Sequence, residues 1–408
     1  MSYKTILGEH LTFKNGKTSP ERNDSWCVPV FGSNGQIGFS QESNNPRKTI
    51  VIGRVGTYCG SVHFSDDNCW VSDNAIACHA KNPDESHFWK HCLIHLNLNK
   101  HRGGSGQPLL NQTTLRSVDV TIPKSQESRI ATGQFLELFD NKIANNQAMN
   151  QTLEKIAQRI FKSWFIDFDP VKANKEGIPF DGLSPEIQAL FPSEFESSEL
   201  GMIPKGWEVT LLSKVVKLTG GGTPKRSEAR YWNGEIPWFS MKDAPERGEV
   251  FVIDTEEKIT ELGLQKSSTK VLPRGTTIIT SRGTVGKLAL VATDMCMNQS
   301  CYGVRGREVG DYFNYFNLKQ AILTLKQNVH GAVFDTITTN TFDTYSFAFS
   351  GNEIANAYNE LITPLLEKSE TNARQNKTLV GIRDRLLPKL ISGQISVSEA
   401  QQELAEAV

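Results

Sequence analysis

The stretch NQTLEKIAQRIF at 150–161 returns as NKTLVGIRDRLL at 376–387, 226 positions later. An internal repeat constrains the fold strongly, because both copies must be able to adopt one structure. At this offset Asn150, Thr152, Leu153, Ile156 and Arg159 fall on the identical residues Asn376, Thr378, Leu379, Ile382 and Arg385. Upstream the copies still track each other, with length changes. VPVFGSNG (28–35) parallels IPWFSMKD (236–243), and TTLRSVDVTIP (113–123) parallels NTFDTYSFAFS (340–350). TIVIGRVGTYCG (49–60) parallels TTIITSRGTVG (276–286), which sets Arg54 against Arg282. Each copy runs as a globular unit followed by a helical unit. Repeats of this size are far too long for a solenoid, and two copies in 408 residues predict a pseudo-two-fold molecule of two or three domains.

The globular units read as mixed and mostly β. Short β-branched runs such as TIVIG and TTIIT lie between Gly, Pro and Asn turns. Asn34-Gly35 is a strong turn signal. FWKHCLIHLNL (88–98) and YFNYFNLKQAILTL (312–325) predict one corresponding helix per copy. The helical units read as long: Leu136, Phe139, Ile143, Leu153, Ile156, Ile160 and Trp164 follow a 3–4 spacing. Leu361, Leu365, Leu379, Ile382, Leu386 and Leu390 do the same. The fold class expected is α+β: two mixed α/β domains joined by two long antiparallel coiled-coil helices. Both seams are interrupted, at Asn146 and Asn150 in one and Asn372 and Asn376 in the other. If the helices pair antiparallel these polar layers meet and fix register; otherwise the asparagines face solvent. Pro364 and Pro388 predict a kink or fraying in the second helix. Residues 133–165 as one helix span about 50 Å, enough to place two heads on successive major-groove segments of a duplex.

Composition sets limits. The chain is 38% hydrophobic and 22% charged, without biased tracts, as expected of a soluble globular protein. MSYKTILGEH has no apolar signal-peptide core, and no apolar run approaches a membrane span, so a cytoplasmic location is expected. Seven scattered cysteines without a CxxC pair predict reduced thiols. The net charge of −1 does not announce a nucleic-acid ligand, but eight acids against two lysines fall within 167–201, leaving the remainder mildly basic. Chemistry finds no support. SRGTVGKL (281–288) lacks the spacing of a phosphate-binding loop. There is no DPPY- or NPPF-like methyltransferase tetrapeptide and no GxSxG elbow. His87, His91 and His95, with Cys92 between, share a helix face, but no fourth ligand is placed and the second copy has no histidines there, so no metal is expected. Asp140 and Lys142 read as surface charges.

The central stretch DFDPVKANKEGIPFDGLSPEIQALFPSEFESSELGMIPKGWEV (167–209), with GRVGTYCG (53–60) and NKTLVGIRDRLLPKLISGQI (376–395), resembles the specificity subunit of type I restriction–modification systems, over essentially the whole chain. The resemblance implies that each globular unit is a target recognition domain reading one half of a split, asymmetric site in double-stranded DNA. It implies that the helices form a spacer docking two copies of an adenine methyltransferase subunit. A motor-endonuclease subunit completes the restricting complex. The subunit itself is implied to be non-catalytic and without cofactor. The division expected is 1–132 first recognition domain, 133–166 first spacer helix, 167–207 connector, 208–351 second recognition domain, 352–395 second spacer helix and 396–408 tail.

DNA readers need phosphate anchors and base-edge donors or acceptors. The candidates in the first domain are Lys17, Thr18, Arg22, Ser33, Asn34, Arg54, Thr57, Tyr58, Asn74 and Gln107. In the second they are Thr223, Lys225, Arg226, Ser240, Lys242, Arg282, Thr284 and Gln299. For each the competing reading is a solvated surface group or a turn. Partner contact is assigned to Leu153, Ile156, Ile160, Trp164, Leu379, Ile382, Leu386 and Leu390. Phe165, Trp207 and Trp232 are weighed for contact too, against burial in a core. The rival to DNA recognition is a helical adaptor that joins two identical partners without reading DNA. A stand-alone enzyme is disfavoured by the missing cofactor motifs.

Overall fold

The computed structural model describes residues 2–103, 109–245, 248–328 and 336–406. The chain forms two compact units, residues 1–143 with 377–408, and residues 144–376. Both contain helix and strand, and each is built around its own core.

In the first unit, Ser2–Ile6 pairs antiparallel with Asp119–Pro123 and so closes the globular head at its base. An antiparallel sheet follows in the order Leu11–Asn15, Ala75–Ala80, Thr49–Gly53, Val62–Ser65. Thr49–Gly53 is buried along its whole length, which is why it reads as an unbroken apolar run. A second small sheet holds the hairpin Val28–Gly32/Gly35–Ser40, and Trp70–Val71 joins Val28–Gly32 in parallel. The helix Ser86–Leu96 buries Phe88, Trp89, Cys92 and Leu93 in the core. The same core takes Leu136 and Phe139 of one long helix and Leu386, Leu387 and Leu390 of the other.

The second unit repeats this framework. Glu208–Leu211 pairs with Ser346–Phe349 at the base. Its main sheet runs Val216–Gly220, Cys301–Gly306, Thr277–Thr280, Leu288–Val291, Phe251–Val252. Trp232–Phe239 takes Cys296–Met297 as its parallel partner. The corresponding helix, Asp311–Asn328, has 18 residues against 11 for Ser86–Leu96. The connector packs on this unit: Val171, Phe191, Ile203 and Trp207 share a core with Phe161, Trp164, Phe165 and Tyr358.

The long helices are Gln126–Phe165 and Asn352–Ile391, 40 residues each. The first starts upstream of the 133 boundary read from periodicity. Its opening turns are anchored by a charge, not an apolar stripe. Arg129 donates to both carboxylate oxygens of Glu85 at 2.8 and 3.0 Å and to the Pro123 carbonyl at 2.8 Å, all buried. Trp89 Nε1–H donates to the same carboxylate at 3.0 Å. Losing either ionic partner would strand a buried charge, a cost of about 3–5 kcal/mol. The second helix continues through Pro364 and Pro388 to Ile391 and does not fray there. Ile362, Leu366, Leu386 and Leu390 are fully buried around both prolines, and packing outweighs the lost backbone bonds.

Within the second unit the two long helices meet antiparallel. Asn146 Nδ2 donates to Asn376 Oδ1 at 2.8 Å and to Gln375 Oε1 at 2.9 Å. Asn372 Nδ2 donates to Asn150 Oδ1 at 2.9 Å, and Asn150 Nδ2 to the Ser369 carbonyl at 3.2 Å. All four asparagines are buried. The polar interruptions of the two seams therefore face each other and not solvent.

Candidate nucleic-acid interface

In the first unit four loops converge at one end of the sheets. Ser33 and Asn34 form the hairpin tip between Gly32 and Gly35. The loop Arg54–Gly60 follows the central strand, the turn Ser72–Asn74 follows Val71, and Lys17 bridges to Ser72. Three backbone bonds fix them: Arg54 N–H to the Asn74 carbonyl (3.0 Å), Gly60 N–H to Gly53 (2.8 Å) and Lys17 N–H to Val71 (3.0 Å). The Ser33 hydroxyl also donates to the Asn74 carbonyl. Chain approach is so close that a Cβ on Gly16 would lie 1.9 Å from the Ser72 carbonyl oxygen, so only glycine fits. Lys17, Thr18, Asn34, Thr57, Tyr58 and Asn74 are exposed on this rim. Arg54 is half-buried, with Nη1 directed at the Asp73 carbonyl at 3.5 Å and Nε buried without a partner.

The second unit builds the same frame from different side chains. Ser281 N–H donates to the Ser300 carbonyl (2.8 Å), Gly286 N–H to Thr280 (2.9 Å) and Gly222 N–H to Met297 (3.0 Å). Three further bonds match: Ser72 N–H to Phe31 with Asn298 N–H to Phe239, Leu110 N–H to Arg54 with Ile337 N–H to Ser281, and Gly53 N–H to Ser61 with Thr280 N–H to Lys287. A Cβ on Gly221 would again lie 1.9 Å from a carbonyl, that of Asn298. This pattern makes Ser281 the counterpart of Arg54, and Arg282 stands one position further out. The pairing of Arg54 with Arg282 read from sequence is therefore off by one, because the second loop is a residue shorter. Arg282 is exposed and makes no side-chain hydrogen bond or ion pair among the described residues. Thr284 and Gln299 are exposed beside it, and the Thr223 hydroxyl donates to Gln299 Oε1.

Other candidates have local partners. Arg226 makes a two-pronged pair with Glu257 and stacks over Trp232, 4.0 Å from the ring centre. Ser240 closes a capping box with Asp243 at 2.8 and 2.9 Å. Lys242 lies 3.7 Å from Glu256, and Arg22 donates to the Ile37 carbonyl at 2.9 Å. Lys225 is exposed. Gln107 lies outside the described residues.

Of the partner-contact residues, Trp164, Leu386 and Leu390 are at most 1% exposed, filled in by the chain's own cores, and offer no surface to a partner. Phe165 and Trp207 are likewise buried. Leu153, Ile160, Leu379 and Ile382 are half-buried, and Ile156 is 40% exposed. The histidine row does not gather on one point. His91 is buried facing Asp140, His95 is exposed, and His87 Nε2 lies 3.1 Å from Glu137 Oε2 with Asp66 nearby. Burial holds His87 and His91 below the ordinary imidazole value. Asp140 is no free surface charge: it pairs with Lys90 and, at 2.9 Å, with Arg383.

Sequence reading passed over three groups at the rims. Asp73 is exposed at the tip of the first unit's turn. Lys100 and Arg102 follow a segment packed on Gly60, and Lys326 Nζ sits 3.4 Å from the Cβ position of Gly286. Basic residues ending the helical stretch after each loop were the available signal.

The family described as "Type I restriction modification DNA specificity domain" matches the chain twice, over residues 6–155 and 204–369. The chain belongs to this family. Both loop clusters lie inside the matched regions. The HindI specificity subunit of Haemophilus influenzae is 28% identical over 331 residues, covering 71% of each chain. The MjaIX specificity subunit of Methanocaldococcus jannaschii is 29% identical over 314 residues, 73% of this chain and 65% of that one. The solved S subunit from M. genitalium shares the fold, with a TM-score of 0.62 at 15% identity over 96% of both chains. The chain is thus a specificity subunit of a type I restriction–modification system, and its function is DNA sequence recognition. Among the described residues no helix is long and apolar enough to cross a membrane.

Proposed function

We propose that this specificity subunit reads a bipartite, asymmetric site in double-stranded DNA, one half-site per globular head, and docks two adenine methyltransferase subunits. One observation carries the reading: both specificity domains hold their rim loops in the same hydrogen-bond frame yet fill it with different side chains. Equal frames with unequal chemistry suit two readers of two different half-sites. Lys17, Thr18, Ser33, Asn34, Thr57, Tyr58 and Asn74 belong to the first reading rim. Thr223, Lys225, Arg282, Thr284 and Gln299 belong to the second. Arg226, Ser240 and Lys242 support that rim through their local pairs.

The long helices act as an antiparallel coiled-coil spacer whose register is fixed by the asparagine layer. The meeting of Asn146 with Asn376 and of Asn150 with Asn372 supports this. Methyltransferase docking falls to the outer faces of these helices. Met149 and Ile156, seven residues apart on one face, are 44% and 40% exposed there. The chain contributes specificity and no catalysis or cofactor, in the cytoplasm. The base-flipping methyl transfer belongs to its partner, and cleavage to a motor-endonuclease subunit. The test is a map of methylated adenines made with and without this chain beside its cognate methyltransferase. Motif-specific marks that vanish when the chain is omitted are expected. A stable, active complex that marks DNA without a motif would replace recognition with the adaptor role.

A further inference from the structure

The matching frames also align positions that the sequence does not. In the first unit the turn tip is Asp73-Asn74, closed by the Ala75 N–H to Ser72 carbonyl bond at 3.0 Å. In the second unit the tip in the same frame is Gln299-Ser300. Behind each tip the carbonyl of the second residue is held twice. Asn74 accepts from Arg54 N–H and the Ser33 hydroxyl, and Ser300 accepts from Ser281 N–H and the Ser281 hydroxyl at 2.8 Å. Arg54 Nη1 reaches toward the Asp73 carbonyl from behind. These bonds hold each tip, and the exposed polar groups there are the Asp73 carboxylate beside the Asn74 amide in the first unit and the Gln299 amide in the second.

An ionised carboxylate accepts hydrogen bonds and donates none. On a rim that meets DNA it is repelled by phosphate, and the partners open to it on a base edge are exocyclic amino groups. In the major groove the carboxylate pairing is with cytosine N4. The Asp73 carboxylate has no protein partner among the described residues, so no local pairing accounts for it. Gln299, braced by the Thr223 hydroxyl, retains its amide N–H donors.

We propose that Asp73 is a specificity-determining residue, accepting a hydrogen bond from the amino group of a cytosine in the first unit's half-site, with Gln299 the equivalent reader in the second. Arg54 is a positioning residue behind Asp73. The inference rests on the reading that the rims contact DNA. Its test is Asp73→Asn in the assembled methyltransferase complex. Competition binding would use duplexes carrying each base pair in turn at every position of the mapped site. Asn is isosteric and the position exposed, so folding is preserved. The expected result is a change of about tenfold in preference at one C·G pair of one half-site, with the other half-site untouched. Unchanged preference at every position overturns the proposal. So does a uniform gain in affinity across all duplexes, which would mean that Asp73 acts through its charge alone. If the unmutated complex itself discriminates no sequence, the underlying DNA reading fails, and the two failures are told apart by that control.

Discussion

At the residue scale, the two arginines that align in sequence are placed differently. Arg282 is exposed and has no side-chain partner among the described residues, whereas Arg54 is half-buried and turned back onto the Asp73 carbonyl. A phosphate contact releases counterions, and its loss lowers the slope of log affinity against log salt by about 0.9. Arg282→Ala should therefore weaken DNA binding and flatten that slope by about one contact. Arg54→Ala should leave the slope unchanged and blur discrimination in the first half-site. Salt titrations of both variants in the methyltransferase complex decide it; an equal flattening by Arg54→Ala would make that residue a phosphate anchor after all. The difference was not legible in the sequence, because GRVGTYCG (53–60) and TSRGTVG (280–286) share two glycines but differ by one residue in length. Only the hydrogen bonds on either side reveal the one-residue offset.

At the element scale, the long helices were legible from their 3–4 spacing, and the asparagine interruptions pointed to a matching layer. Whether that layer faced solvent was open, since an asparagine in a seam carries no sign of its partner. Arg129 hid the true start of the first helix, because an anchor made of one buried ion pair has no periodicity. The layer itself makes a prediction. Asn372→Leu leaves Asn150 Oδ1 buried without its donor, a cost of about 1–3 kcal/mol. Pairing it with Asn150→Leu removes both polar groups and should recover most of that loss. Urea unfolding of the two single variants and the double variant gives the coupling directly. Additive losses would show that the two asparagines do not act as a pair.

At the scale of the whole molecule, acid should act unequally on the two units. His10, His63, His79, His87 and His91 all belong to the first unit, and burial is the leading cause that lowers each of them. A lowered histidine contributes stability that is complete above its unfolded value near 6.5 and is lost as pH falls toward the folded value. For His91 that value is about 4. Glu137, raised by burial, opposes this in part. The second unit's single histidine, His330, lies outside the described residues. Hydrogen exchange at pH 7 and pH 5 should show Thr49–Gly53 and Ala75–Ala80 losing protection while Thr277–Thr280 and Cys301–Gly306 keep it. Equal loss in both sheets would contradict the assignment. The repeat and the connector made the family legible at this scale. The compact units were less so: contacts divide each long helix near the asparagine layer, a boundary that no change in composition marks.

The central claim is that two heads read two half-sites. The measurement that tests it most directly is the map of methylated adenines in a host lacking other adenine methylation, with this chain and its cognate methyltransferase co-expressed. The account predicts a split motif: two short, unlike blocks separated by a fixed run of unspecified bases. A single uninterrupted motif, or two identical blocks in inverted order, would contradict it.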